Sequence, residues 1–201
     1  MPTTTARTIH RPDRALRAVP GAPRPGVLLD RDGTIIVDHG YVASEDQVDF
    51  IDGAPEAIAR LNRAGLPVAV VSNQAGVAKG FFGIEDVLSV NRYIAAHLAE
   101  HGAHIDLFLF CPYHPEGVVD AFARASDDRK PGPGMAHAAA AALGLDLRSS
   151  WVVGDRPEDV GLAYNIGAAA ICLGGDDQYR QAFCLPDLAT AASLILEEIA
   201  V

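Results

Sequence analysis

From Gly26 onward, short apolar runs alternate with longer amphipathic stretches. Val27-Leu28-Leu29 is an apolar run that ends at Asp30, the pattern of a buried strand. Residues 54–64 predict a helix closed by Gly65. Residues 67–71 predict a second buried strand, which ends in Ser72-Asn73-Gln74. Residues 84–101 bring Val87, Leu88, Ile94 and Leu98 near one helical face. A third strand is expected over 107–110, followed by a polar loop over 112–131 and a helix over 134–143 that stops at Gly144. Trp151-Val152-Val153 predicts a fourth strand running into Gly154-Asp155, and Pro157 suits the first turn of the next helix. Residues 168–173 and 189–199 predict a fifth strand and a last helix. Strands alternating with helices imply βαβ units. The expected fold is therefore α/β, a doubly wound parallel sheet with helices on both faces. In such sheets ligands bind beyond the C-terminal ends of the strands. Asp30, Ser72 and Asp155 each follow an apolar strand, so they should converge on one crevice.

Residues 1–25 break this pattern. They are rich in Thr, Arg, Pro and Ala without sustained periodicity, and they read as a flexible arm ahead of a domain over 26–201. Charge divides at the same point. The chain carries a net charge of -10, yet the arm holds five Arg against one Asp. The acidic remainder argues against nucleic acid as the main partner, because phosphate-backbone binding needs a basic face. A small phosphorylated substrate stays compatible, since a few local cations can hold one phosphate. No apolar run approaches the roughly 18 residues that span a bilayer, so no membrane segment is expected. The N-terminus lacks the apolar core of a signal peptide. Three cysteines, Cys111, Cys172 and Cys184, do not suggest a disulfide framework and suit a reducing cytoplasm. Asp176-Asp177 reads as a solvated acidic loop.

The sharpest candidate chemistry is Leu29-Asp30-Arg31-Asp32-Gly33-Thr34. Residues two apart in extended chain face the same way, so Asp30 and Asp32 can address one site. Neighbouring carboxylates repel, and a cation relieves the repulsion. Mg²⁺ prefers oxygen ligands and often joins one or two carboxylates to a substrate phosphate. Gly33 lets the chain turn away sharply. Asp155 in Gly154-Asp155-Arg156-Pro157-Glu158-Asp159 can complete a metal site, with Asp159 in support. A hydroxyl and backbone N–H at Ser72-Asn73-Gln74 can hold phosphate oxygens. Lys130, in Arg129-Lys130-Pro131, can neutralise charge on phosphate and aspartate. An acidic turn, a helix cap and a solvated charge pair would each explain one of these segments alone. Together, in this order after buried strands, they read as a site.

The ordered set resembles the haloacid dehalogenase (HAD) superfamily of phosphatases over roughly residues 27–175. The resemblance implies an aspartyl-phosphate mechanism. Asp30 would be the nucleophile and Asp32 the general acid and base, while Ser72 and Lys130 would stabilise the phosphoryl group. Mg²⁺ would be held by Asp30, the backbone carbonyl of Asp32, and Asp155. A narrower resemblance is to the D-glycero-D-manno-heptose-1,7-bisphosphate 7-phosphatases, close relatives of the histidinol-phosphate phosphatases. It rests on the segment from Asp30 to Ile35, on Asp38-His39-Gly40-Tyr41-Val42, on Ser72-Asn73-Gln74-Ala75-Gly76, on Cys111-Pro112-Tyr113-His114-Pro115 and on Arg129-Lys130-Pro131. It implies a small flap at about 33–45 in place of a large cap. Substrate contacts would come from Asp38, His39, Gly40, Tyr41, Asn73, Gln74, Arg129 and Arg156, with Arg129 on a distal phosphate.

One segment departs from the family. Many members hold a structural zinc through Cys-x-His, then Cys-x-Cys just before Arg-Lys-Pro. Here Cys111 remains, but Tyr113, Ser126 and Asp128 stand at the other three positions. Structural zinc wants four N or S ligands, so none is expected, and the loop that delivers Arg129 and Lys130 should be more mobile. The reaction expected is removal of the 7-phosphate from heptose 1,7-bisphosphate. Histidinol phosphate or another small sugar phosphate is the alternative substrate, and a non-catalytic phosphate-binding module is the alternative class. A P-loop kinase is disfavoured, because no Gly-x-x-x-x-Gly-Lys-[Ser/Thr] occurs.

Overall fold

A computed structural model describes residues 8–10, 22–174 and 182–200 of the chain. The stretch holding Asp176 and Asp177 and most of the N-terminal arm lie outside the described residues. Strands β1 (Thr8–His10), β2 (Val27–Leu29), β3 (Val68–Asn73), β4 (Leu107–Cys111), β5 (Trp151–Gly154), β6 (Ala169–Leu173) and β7 (Ala182–Leu185) form one sheet, ordered β1-β4-β3-β2-β5-β6-β7. β2 to β7 run parallel, and β1 lies antiparallel against β4 at the edge. From the arm, therefore, Thr8–His10 and Arg24 both meet the body; Arg24 bridges to Leu145 and its N–H donates to the Gly144 carbonyl at 3.1 Å.

The central strands are apolar throughout because both faces are covered. Val27, Leu29, Val68, Val70, Phe108 and Val153 point to a core closed by α1 (Ala54–Arg63), α3 (Ile84–Glu100) and α6 (Leu188–Ile199). Leu28, Ala69, Val71, Leu109 and Val152 point the other way, onto α4 (Gly134–Leu143) and α5 (Pro157–Ile166). Along α3, Val87, Val90, Asn91, Ile94 and Leu98 form the buried stripe, a spacing of three and four residues. Asn91 is the polar member of that stripe.

The predicted helices and central strands stand where the pattern put them. β3 and β4 run on through Asn73 and Cys111, so Ser72 sits within its strand rather than after it. Three strands or helices carried no periodic signal: β1, in the arm read as flexible, α2 (Ala75–Ala78), a single turn, and β7 at the far edge. Between β2 and α1 there is no cap domain. The chain makes a short flap, tied by bridges from Ile36 to Asp32 and to Phe50. No helix among the described residues is long and apolar enough to cross a membrane.

β3 and β4 lie on one side of β2, and β5, β6 and β7 on the other. The chain thus reverses direction across the sheet between β2 and β5, which opens a crevice at their C-terminal ends. Ile94→Ala, at a fully buried position of α3, is expected to cost about 2–5 kcal/mol. At about 2–4 °C per kcal/mol, calorimetry should show a melting temperature lower by roughly 4–20 °C.

Candidate active site

Asp30 leaves the end of β2 with its N–H bonded to the Val153 carbonyl of β5 at 2.9 Å, which anchors it over the crevice. Its Oδ1 accepts from the Arg31 N–H at 2.6 Å, and its Oδ2 lies 2.9 Å from the Lys130 ammonium. Gly33 then turns the chain at φ 80°, and a Cβ there would fall 2.3 Å from Asp155 Oδ2. Glycine is needed for both reasons: the left-handed conformation and the close approach of Asp155. Asp155 follows β5. Asp159 sits in the first turn of α5, where its Oδ2 accepts from the Arg156 N–H at 3.2 Å. Carboxylate oxygens of Asp30, Asp155 and Asp159 lie within 4.8 Å of one another.

Lys130 holds this cluster together. Its buried Nζ contacts Asp159 Oδ1 at 2.6 Å as well as Asp30 Oδ2. Asn73 grips the Lys130 backbone from both sides, donating to its carbonyl at 3.1 Å and accepting from its N–H at 2.9 Å. Asn73, expected as a substrate contact, lines the cavity, and its amide also positions the lysine. Gln74 Nε2 donates to Ser72 Oγ and to Asp32 Oδ2, each at 2.8 Å. Asp32 is gripped from the other side by a two-pronged contact with Arg31, at 3.1 and 3.0 Å.

Burial sets the electrostatics. It pushes the Asp30 carboxyl up to about 7, against the pull of Lys130 and with help from Asp159 and Asp32. It also raises Asp155, seconded by the charge on Asp30. Asp159 is raised by burial in spite of Lys130. Burial alone would lower Lys130, but Asp159 and Asp30 outweigh it and hold the ammonium firmly charged.

Asp30, Asp159 and Lys130 line a cavity of about 350 Å³. From the expected site it gathers Asp30, Asp32, Ser72, Asn73, Gln74 and Lys130 at its floor. Asp38, Gly40, Tyr41, Arg129 and Arg156 stand around its walls. His39 is not among the lining residues: its ring pairs with Asp49 Oδ2 at 2.7 Å on the exposed side of the flap. Asp155 faces a neighbouring cavity behind Gly33. Its Oδ1 is buried without a hydrogen-bond partner. Asp38 is ion-paired with Arg156 across the mouth. Against partial burial, the Gly40 N–H and the Arg156 guanidinium hold its carboxyl below the usual range. Arg129 Nη1 is likewise buried without a partner.

Lys79 and His114 line the cavity too, and sequence reasoning missed both. Lys79 donates to the Tyr41 hydroxyl at 3.0 Å, and Tyr41 stacks edge-on against Phe81 at 4.7 Å. The usable signal for Lys79 was its place in the turn just after Ser72-Asn73-Gln74.

In the loop after β4, the four positions at which many family members ligate zinc hold other contacts. The Cys111 thiol, pushed up to about 11 mainly by burial, lies 3.9 Å from the Tyr113 carbonyl. The Tyr113 ring is buried beneath the Arg124 guanidinium, 4.0 Å from its centroid, and meets Phe122 at 6.0 Å. Ser126 accepts from the N–H groups of Asp128 and Arg129, through its hydroxyl at 3.2 Å and its carbonyl at 3.1 Å.

A HAD-hydrolase-like family model matches residues 128–191. The chain is 42% identical to the D-glycero-beta-D-manno-heptose-1,7-bisphosphate 7-phosphatase of Yersinia pestis, over 75% of this chain and 81% of that one. It is 36% identical to the protein of the same name from Escherichia coli K12, over 88% and 90%. Among solved structures, the D,D-heptose 1,7-bisphosphate phosphatase of B. bronchiseptica, complexed with magnesium and phosphate, superposes with a TM-score of 0.77 at 28% identity, covering 87% of this chain and 99% of that one.

The raised Asp30 carboxyl carries a stability consequence. A carboxyl whose folded pKa is raised favours folding most at low pH, and that contribution is lost as pH rises from 3.8 through about 7. In metal-free protein, Asp30→Asn should therefore raise the melting temperature at pH 8 by several degrees. The gain should shrink steadily as pH is lowered through that window, as followed by circular dichroism.

Proposed function

The chain belongs to the HAD-like hydrolase family, among its phosphatases, and we propose that it removes the 7-phosphate of D-glycero-D-manno-heptose 1,7-bisphosphate through an aspartyl-phosphate on Asp30. The observation that carries the mechanism is the 2.9 Å contact of Lys130 Nζ with Asp30 Oδ2 at the floor of the cavity. A carboxylate attacks a phosphate dianion poorly unless cations relieve the repulsion. Lys130 supplies one, and Asn73 and Asp159 hold it in place.

Asp30 forms the new bond to phosphorus while the bond from phosphorus to the sugar oxygen breaks. Asp32 gives its proton to the departing oxygen, then takes one from the water that attacks the aspartyl-phosphate. Inorganic phosphate leaves and Asp30 is restored. Ser72 Oγ and a backbone N–H beside it orient the phosphoryl oxygens.

The donor set fits Mg²⁺. It is all oxygen, it gathers carboxylates of Asp30 and Asp155 within 4.8 Å, and Asp155 Oδ1 is buried and unpartnered. The Asp32 backbone carbonyl completes the protein's share. Bound there, the ion would neutralise charge on carboxylates and phosphate alike. The Cys111, Tyr113, Ser126 and Asp128 positions do not fit a structural zinc, for they offer a single thiol with its proton held tightly.

The cavity also favours a substrate with two phosphates. Besides Lys130, it presents Arg129, with an unpartnered buried nitrogen, and Lys79. A second phosphate finds partners there by charge-assisted hydrogen bonds. Histidinol phosphate would instead bring its own ammonium toward these cations. A reducing cytoplasm, the setting we propose, suits Cys111, Cys172 and Cys184, none of which forms a disulfide.

The direct test is phosphate release from heptose 1,7-bisphosphate with Mg²⁺, beside histidinol phosphate and an Asp30→Asn control. Release from the bisphosphate at least about ten-fold more efficient than from histidinol phosphate, and abolished in the control, is expected. Asp30-dependent release from another ester alone would retain the mechanism and remove the heptose assignment. No release from any sugar phosphate would leave a phosphate-binding module.

A further inference from the structure

We propose that Arg31 is a positioning residue that fixes the direction of the Asp32 carboxylate and ties it to the flap and to α3. The proposal rests on the assignment of Asp32 as acid and base. Alternation along extended chain would send Arg31 away from its neighbours. Its guanidinium is instead buried, with 1% of the residue exposed, and doubles back on Asp32. Nε donates to Oδ2 at 3.1 Å and Nη2 to Oδ1 at 3.0 Å, so the planar fork matches both oxygens at once.

The rest of the guanidinium reaches in two other directions. Nη1 donates to the buried Asn91 Oδ1 of α3 at 3.3 Å, and Nη2 to the Val42 carbonyl in the flap at 3.5 Å. On the far side of Asp32, Gln74 links the same carboxylate to Ser72. One network therefore joins α3, the flap, the acid–base carboxylate and the hydroxyl that faces the phosphoryl group. Val42 itself lines the cavity, whereas Arg31 does not. Arg31 thus touches no substrate and acts through Asp32.

A buried cation is costly, and an apolar residue of similar volume would hold the fold as well or better. The fork explains why the cation is there. An acid has to aim its proton at the leaving oxygen, and small misplacements cost large factors in rate. A lysine keeps the charge but cannot grip both oxygens in one plane.

The test compares kcat/KM for two esters, heptose 1,7-bisphosphate and p-nitrophenyl phosphate, in Arg31→Lys, Asp32→Asn and the double variant. The nitrophenolate leaves without a proton, whereas the sugar oxygen needs one. Arg31→Lys should lower the sugar phosphate's kcat/KM about 10- to 100-fold and that of the aryl ester less than about three-fold. In the Asp32→Asn background it should add no further loss, because both act on one step. Equal losses on the two esters, or additive losses in the double variant, would reduce Arg31 to a support of the fold. If Asp32→Asn itself fails to discriminate between the esters, the acid–base assignment falls and Arg31 with it. Should Arg31→Lys not fold, Asn91→Ala removes one acceptor of the guanidinium and should show the same discrimination at about two- to five-fold. Equal effects on the two esters in that variant would overturn the proposal as well.

Discussion

One ammonium group makes the rest of the site possible. Asp30, Asp155 and Asp159 bring carboxylate oxygens within 4.8 Å of one another in a largely buried setting. Left to themselves, such groups would protonate or spread apart. Lys130 stands between Asp30 and Asp159 at 2.9 and 2.6 Å and holds the two oxygens in place. Its contact with two acids at once is also why it keeps its proton when buried. Magnesium at Asp30 and Asp155 would complete the neutralisation from the other side, so the two cations divide the carboxylates between them.

That arrangement constrains the scaffold. Lys130 is not on a strand end, as Asp30 and Asp155 are, but in a long connection between β4 and α4. Its place depends on Asn73 at the end of β3, which takes both hydrogen-bonding groups of the Lys130 backbone. Asn165 of α5 adds a contact to the next carbonyl, that of Pro131, at 2.8 Å. A strand and a helix thus secure a loop residue to the accuracy an active site needs. Glycine recurs for the same reason: a Cβ at Gly154 would lie 2.2 Å from the Asp159 carboxyl carbon, so that side chain needs a bare neighbour.

Much of this was legible along the chain. Fully buried strands are nearly continuous apolar runs, and the residues that end them, Asp30 and Asp155, fall at the crevice by topology alone. Spacing was enough for Asp30 with Asp32, because alternation is a local rule. What could not be read are contacts that depend on distant pairings. Asn73 was recognisable as a site residue, but its target lies 57 residues away. Arg31 lies between two aspartates, and its partners Asn91 and Val42 belong to a helix and a flap. Asn91 interrupts an otherwise apolar stripe on α3, and a buried polar residue on such a stripe is the one local hint of a partner. β7 and α2 were missed because four residues are too few for either period to declare itself.

The loop after β4 shows how one mechanical need can be met by different chemistry. A structural metal would gather four side chains and fix the segment that leads to Arg129 and Lys130. This chain keeps one of the four thiol or imidazole positions and fills the loop with an aromatic cluster instead. Tyr113 is buried with Phe122 beside it and Arg124 over its face, and such a cation–π contact gains strength from desolvation. Ser126 then closes the turn into Arg129 through its hydroxyl and carbonyl. Cys111 is buried in β4, and burial pushes its thiol up to about 11.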